Sequence, residues 1–141
     1  MIQETKVSKQ ELQKMIQKQK DFEGIAIDSN GASGGICTMW NKRKWELVNQ
    51  KTNNHWIRTN LKNNSTKEEY CIINIYSPNH YRDKEQCWKS VKEEATERQR
   101  GKIIMGGDLN LIRNIDEKLG GNYYNDPSRV ALEEIIEEKN Y

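Results

Sequence analysis

The sequence predicts an α/β or α+β sandwich, on three observations. Short β-prone runs alternate with helix-prone ones along the chain. The middle of the chain reads as antiparallel hairpins separated by Gly-, Asn- and Pro-containing turns. One apolar run, Lys102-Ile103-Ile104-Met105, ends in Gly106-Gly107-Asp108, as suits a strand buried on both faces. Strands and helices each bury one apolar face, so elements mixed in this way stack in layers. At 141 residues the chain is one domain or part of one, against roughly 100–200 residues per domain.

The elements follow in order. Met1–Thr5 is a short apolar start that runs into the carboxylate of Glu4. Ser8-Lys9-Gln10-Glu11 has capping-box spacing and opens a helix to about Lys20, with Leu12, Met15 and Ile16 on its buried face. Glu23–Ser29 alternates Ile25 and Ile27 with small or polar neighbours and reads as a strand. A turn over 30–35 leads to a second strand, Ile36–Trp40. Trp45–Val48 and His55–Leu61 are half-buried strands around the Asn53-Asn54 turn. Tyr70–Tyr76 is strongly β-prone and is stopped by Ser77-Pro78-Asn79. A helix is predicted from about Asp83 to Glu97 with Cys87, Trp88 and Val91 inward. Asp126-Pro127 supplies an N-cap and a first-turn proline for a last helix to about Lys139, with Val130, Leu132, Ile135 and Ile136 apolar.

Composition narrows the class. Lys plus Arg number 23 and Asp plus Glu 21, for a net charge of +2. A whole-chain field strong enough to gather nucleic acid by charge alone is excluded. Apolar residues are 34% and glycines number 9, together short of the roughly 45–50% usual for a globular domain. Disorder needs high net charge as well, and this chain lacks it. No apolar run approaches the ~20 residues that span a bilayer, and Glu4 falls where the core of a signal peptide would begin. Three cysteines at irregular spacing, Cys37, Cys71 and Cys87, suit reduced, buried thiols in an intracellular protein, in nucleus or cytoplasm.

Polar residues gather at three strand ends: Glu4, Tyr76, and Asp108 with Asn110. In α/β folds, ligand sites form beyond strand ends, where loops converge on a rigid sheet. Asp108 and Asn110 are two apart, so in extended backbone both side chains face one way. A hard cation such as Mg²⁺ takes one or two carboxylates, retained waters and a substrate phosphate, and Glu4 and Asp108 offer those oxygens. The alternative for Asp-x-Asn after Gly-Gly is an ordinary Asx turn. From Lys42 to Lys67 there are seven Lys or Arg against one Glu, interleaved with Trp45 and Trp56. Lys42, Arg43, Lys44 and Arg58 are candidates for contact with a nucleic-acid backbone; solvated strand edges also use Lys to prevent aggregation. The C-terminal Glu133, Glu134, Glu137 and Glu138 form the solvent face of an amphipathic helix.

Four motifs occur in order: Gln3-Glu4-Thr5-Lys6; Ser33-Gly34-Gly35-Ile36 with Trp40-Asn41 following; Asn74-Ile75-Tyr76-Ser77-Pro78-Asn79; and Gly106-Gly107-Asp108-Leu109-Asn110. In order and spacing they resemble the endonuclease/exonuclease/phosphatase superfamily, with the DNase I-like fold. Ile112-Arg113, Glu117–Gly121, and His80-Tyr81-Arg82 leading to Cys87-Trp88 resemble more closely the endonuclease domain of plant LINE-type non-LTR retrotransposons. The resemblance implies a four-layer sandwich of two packed sheets flanked by helices, and a nuclease that uses Mg²⁺ or Mn²⁺ to nick DNA. It places Glu4 on the carboxylate that holds the metal and Tyr76 on the tyrosine that hydrogen-bonds the scissile phosphate. It places Asp108 on the aspartate that orients or deprotonates the attacking water, and Asn110 on the asparagine that helps to position it.

The same resemblance implies an incomplete domain over 1–141. The family begins with an Asn-x-Arg-Gly-type strand and ends with strands carrying a second Asp and a Ser-Asp-His-type segment, and none of these is matched here. His55 and His80 lie in other motifs, and His80 reads as a surface loop histidine. A full-length element would add a reverse transcriptase domain. Three readings follow: a weak DNA-nicking fragment, a phosphatase of the same fold acting on a phosphorylated lipid or sugar, and a catalytically dead remnant. Strands that lack neighbours leave open edges and uncovered core, so marginal stability is expected.

Overall fold

The computed structural model describes residues 1–3, 5–28, 35–97, 101–110 and 128–139. They fall into two units, one of Met1–Tyr76 with Gln99–Asp108 and one of Ser77–Arg98 with Leu109–Tyr141.

The first unit holds two sheets. Strand β1 is only Ile2–Gln3, β2 is Phe22–Ile27 and β3 is Ile36–Asn41. They pair antiparallel in the order β1-β3-β2. The second sheet contains β4 (Trp45–Thr52), β5 (Trp56–Asn63), β6 (Glu69–Tyr76) and β7 (Lys102–Asp108) in sequence order. Its first three strands form antiparallel hairpins, and β7 joins β6 in parallel. The predicted strands are present, several of them longer than predicted. The turn at 53–56 is fixed by Asn53, whose side-chain oxygen accepts the N–H of His55 at 2.8 Å and of Trp56 at 2.9 Å. Val48 sits at a bulge in the β4–β5 register and is exposed, and β4 runs on past it to Thr52.

Helix α1 (Lys9–Gln17) starts as the capping box predicts: Ser8 Oγ accepts the Glu11 N–H at 3.2 Å, and Glu11 Oε2 accepts the Ser8 N–H at 3.1 Å. Leu12 and Ile16 bury against Ala26 and Cys37, with Met39 beside them. Met15 does not join them and is 56% exposed. At about 100° per residue it lies off the narrow stripe that Leu12 and Ile16 share one turn apart.

Asn74 joins the two sheets. Its Nδ2 donates to the Cys37 carbonyl at 3.0 Å and to Thr38 Oγ1 at 3.2 Å, and it is fully buried. The face of β6 that carries Asn74 is therefore the face turned toward the smaller sheet, and Ile72 shares it. Ile104 is the register partner of Ile72. The expectation of a strand buried on both faces fails at Ile104, which is 45% exposed. Among the described residues β7 is an edge strand, and the two-residue β1 does not extend far enough to cover it.

In the second unit, α2 (Tyr81–Thr96) buries Cys87, Trp88 and Val91, as predicted, and Ala95 as well, and α3 (Ser128–Lys139) buries Ile135. Lys92 on α2 binds Glu134 on α3, and Glu138 lies 3.9 Å from the same ammonium. Val130, predicted apolar, is exposed. Asp126 and Pro127 lie outside the described residues. All three cysteines are buried free thiols. No helix among the described residues is long and apolar enough to cross a membrane.

Candidate active site

Tyr76 and Asp108 are the last residues of β6 and β7, and in the parallel register they are direct partners. Neighbouring strands lie roughly 4.8 Å apart, so a phenol and a carboxylate leave adjacent strand ends side by side, both half-buried. The end of β6 is held from the other side as well, because the Tyr76 N–H donates to the His55 carbonyl at 2.8 Å.

Below this pair the backbone is packed as tightly as it can be. Gln3 Nε2 donates to the Ile75 carbonyl at 2.6 Å and to Asn74 Oδ1 at 3.2 Å. Gly107 lies against that contact with φ +131°. A Cβ there would stand 2.0 Å from the Ile75 oxygen and 2.1 Å from Gln3 Nε2. The glycine before Asp108 is therefore a steric requirement of the Gln3 clamp. Gly106 is less constrained, since its nearest atom would be the mobile end of Met1 at 2.9 Å.

Glu4 lies outside the described residues. The chain on either side of it is tied down: Gln3 pairs with Ile36, and the Thr5 N–H donates to the Gly35 carbonyl at 3.2 Å.

In the second unit, Asn110 takes φ +45°, a left-handed conformation that asparagine tolerates better than most residues. Its amide donates to the Ser77 carbonyl. The sequence argument that Asp108 and Asn110 face one way assumed extended backbone through both. The strand stops at Asp108, so alternation no longer decides where the Asn110 amide goes. His80 precedes α2 as an exposed side chain 3.8 Å from Asp83, a surface position as predicted.

The basic candidates separate. Lys42, Arg43 and Lys44 are exposed in the turn after β3, where Arg43 Nε pairs with Asp21 at 2.7 Å. Arg58 is only 6% exposed, and its Nη2 donates to Asn49 at 3.4 Å. Its burial corrects the expectation of a surface phosphate contact. It shares a face of β5 with Trp56, and its register partner on β6 is Ile73.

Sequence reasoning named neither Gln3 nor Asn74 as functional. A signal was present in Asn74, a polar residue inside the apolar run Cys71–Ile75 that must be hydrogen-bonded once buried.

Among the described residues no three His, Cys, Asp or Glu side chains come together. That pattern would mark a closed metal cage. Mg²⁺ asks for less, one or two carboxylates with water and phosphate completing its shell, and the Asp108 carboxylate is a hard donor of the right kind.

No family model matches the chain, and no curated protein does. Solved structures match its shape. An endonuclease/exonuclease/phosphatase family protein from Bacteroides thetaiotaomicron superposes with TM-score 0.59 at 14% identity, over 73% of this chain and 46% of that one. TDP2 from D. rerio, complexed with a single-strand DNA product, gives 0.57 at 12% identity over 76% and 46%. A mannosyl-6-phosphatase from Bacteroides thetaiotaomicron gives 0.52 at 13% identity over 72% and 47%. The fold is the DNase I-like fold of these proteins, an α+β architecture built on two packed sheets. The chain spans about half the length of each.

Proposed function

We propose that the chain is part of a metal-dependent phosphodiesterase domain that nicks DNA and derives from a retroelement of the LINE type. The observation that carries this reading is the register pairing of Tyr76 with Asp108 at the ends of adjacent parallel strands. A phenol O–H beside a carboxylate can serve one phosphodiester: Tyr76 donates to a non-bridging oxygen, and Asp108 orients a water and takes its proton. The water oxygen bonds to phosphorus as the opposite P–O bond breaks, and the departing oxygen takes up a proton. Asn110, two residues after Asp108, helps to place the water and the phosphate. Glu4 and Asp108 are the carboxylates that would hold Mg²⁺ or Mn²⁺. When bound, the cation neutralises charge that develops on the phosphate oxygens. Lys44, exposed after β3, is proposed to contact the DNA backbone.

The single-strand DNA product held by one structural neighbour supports a nucleic-acid substrate. The sugar phosphatase among the neighbours supports a second reading, in which the same groups act on a phosphorylated sugar or lipid. Incubating the protein with supercoiled plasmid and Mg²⁺ tests the first: nicking is expected, blocked by EDTA and abolished in Asp108→Ala. Plasmid cleavage no greater than that of Asp108→Ala would overturn it. Phosphate release from a sugar phosphate or phosphoinositide, without nicking, would establish the second. Absence of both activities would mark an inactive remnant.

A further inference from the structure

Strand β2 is the outer strand of the smaller sheet, and among the described residues its one strand neighbour is β3. In an antiparallel pair every second residue turns its N–H and C=O away from the partner. Donors and acceptors therefore face outward along Phe22–Ile27, the Phe22 N–H among them already donating to the Gln19 carbonyl at 3.2 Å. An open cavity of about 800 Å³ runs along this edge, between helix α1 and strand β4. Native edges are usually blunted by Pro or by Lys within the strand, and Phe-Glu-Gly-Ile-Ala-Ile has neither.

Two further observations describe what fits there. The cavity is lined by Lys9, Lys20 and Lys42 against the single acid Glu23, and none of the three lysines is ion-paired with a described residue. Trp40 also lines it, and its buried indole N–H has no acceptor among the described residues. The wall thus carries a net positive charge, while the strand edge offers both donors and acceptors.

We infer that this edge binds an extended acidic peptide segment of a partner protein, which adds to the sheet as a further strand beside β2. A peptide backbone satisfies the outward donors and acceptors together. Phosphates supply acceptors alone, which disfavours nucleic acid here. A second copy of the chain would bring three lysines against three, so self-pairing is opposed by charge. Alternate acidic side chains of the added strand would meet the lysines.

A fluorescein-labelled octapeptide of alternating Val and Glu is the probe. Anisotropy is expected to show binding, and hydrogen exchange is expected to slow in Phe22–Ile27. The Lys9→Glu/Lys20→Glu double variant should weaken binding at least tenfold. The same peptide with alternate backbone nitrogens methylated keeps its charge but loses donors, and should bind at least tenfold more weakly. Equal binding of methylated and unmodified peptide would reduce the site to a charge effect and overturn strand addition. Protection of β2 by oligothymidylate, self-association through β2, or no peptide binding at millimolar concentration would each overturn it too. These readouts do not depend on hydrolysis, so failure of the phosphodiesterase reading leaves them intact.

Discussion

Gln3 donates its side-chain amide to Asn74, 71 residues away in sequence, at 3.2 Å, and Asn74 passes the connection on to Cys37 and Thr38. Two motifs far apart in the chain, Gln3-Glu4 and Asn74-Ile75-Tyr76, are thereby held together by an amide pair, buried at Asn74 and half-buried at Gln3. The amide of Asn74 uses both donor hydrogens and an acceptor lone pair, so it is well satisfied where desolvation would otherwise be costly. Asn74→Ala removes all three bonds. A loss of about 2–4 kcal/mol is expected in urea denaturation, with the slope of the transition unchanged.

Gly107→Ala should cost far more than the neighbouring Gly106→Ala. The added methyl at 107 meets a carbonyl oxygen at 2.0 Å and must also accept φ +131°, whereas at 106 it meets only the flexible tip of Met1. Thermal melts should place Gly106→Ala within about 1 kcal/mol of the parent and Gly107→Ala at least about 2 kcal/mol below it. Comparable melts for both would refute the clamp.

Much of this architecture was legible because local chemistry and tertiary structure agree. The Ser8–Glu11 capping box, the stop at Ser77-Pro78 and the apolar face of α2 are local signals, and each element forms where its signal lies. Where the sequence misled, the deciding partner was distant. Whether Ile104 is buried depends on how far β1 extends, and whether Arg58 reaches solvent depends on the face that pairing with Ile73 assigns to it. Tyr76 and Asp108 were picked out by their strand-end positions, but their adjacency required the parallel β6–β7 register, which no local pattern encodes. The Gln3 clamp joins residues too far apart in sequence for any periodicity to link.

Helix α1 offers a direct test of the narrow contact stripe. Ile16 is buried in the cluster with Leu12, Ala26 and Cys37, while Met15 points to solvent. Ile16→Ala is expected to lose about 2–4 kcal/mol, and Met15→Ala to stay within about 0.5 kcal/mol of the parent. Equal losses measured by denaturant titration would mean that the helix sits rotated from the orientation described.

Cys87 makes stability depend on alkaline pH. Burial pushes its thiol up from the ordinary 9.0 to about 11, because the thiolate would be desolvated among the buried residues of α2. The folded state therefore keeps its proton where the unfolded chain has begun to lose it. This contribution is fully present below pH 9 and is lost as pH rises toward 11, amounting to about 2–3 kcal/mol over that interval. Lysines and tyrosines also titrate in this range, so the informative quantity is the difference between parent and Cys87→Ala. Urea denaturation at pH 7.5 and pH 10.5 should show the parent losing more stability than the variant. A parent and variant that decline in parallel would show that the Cys87 thiol is not shielded from water in the folded protein.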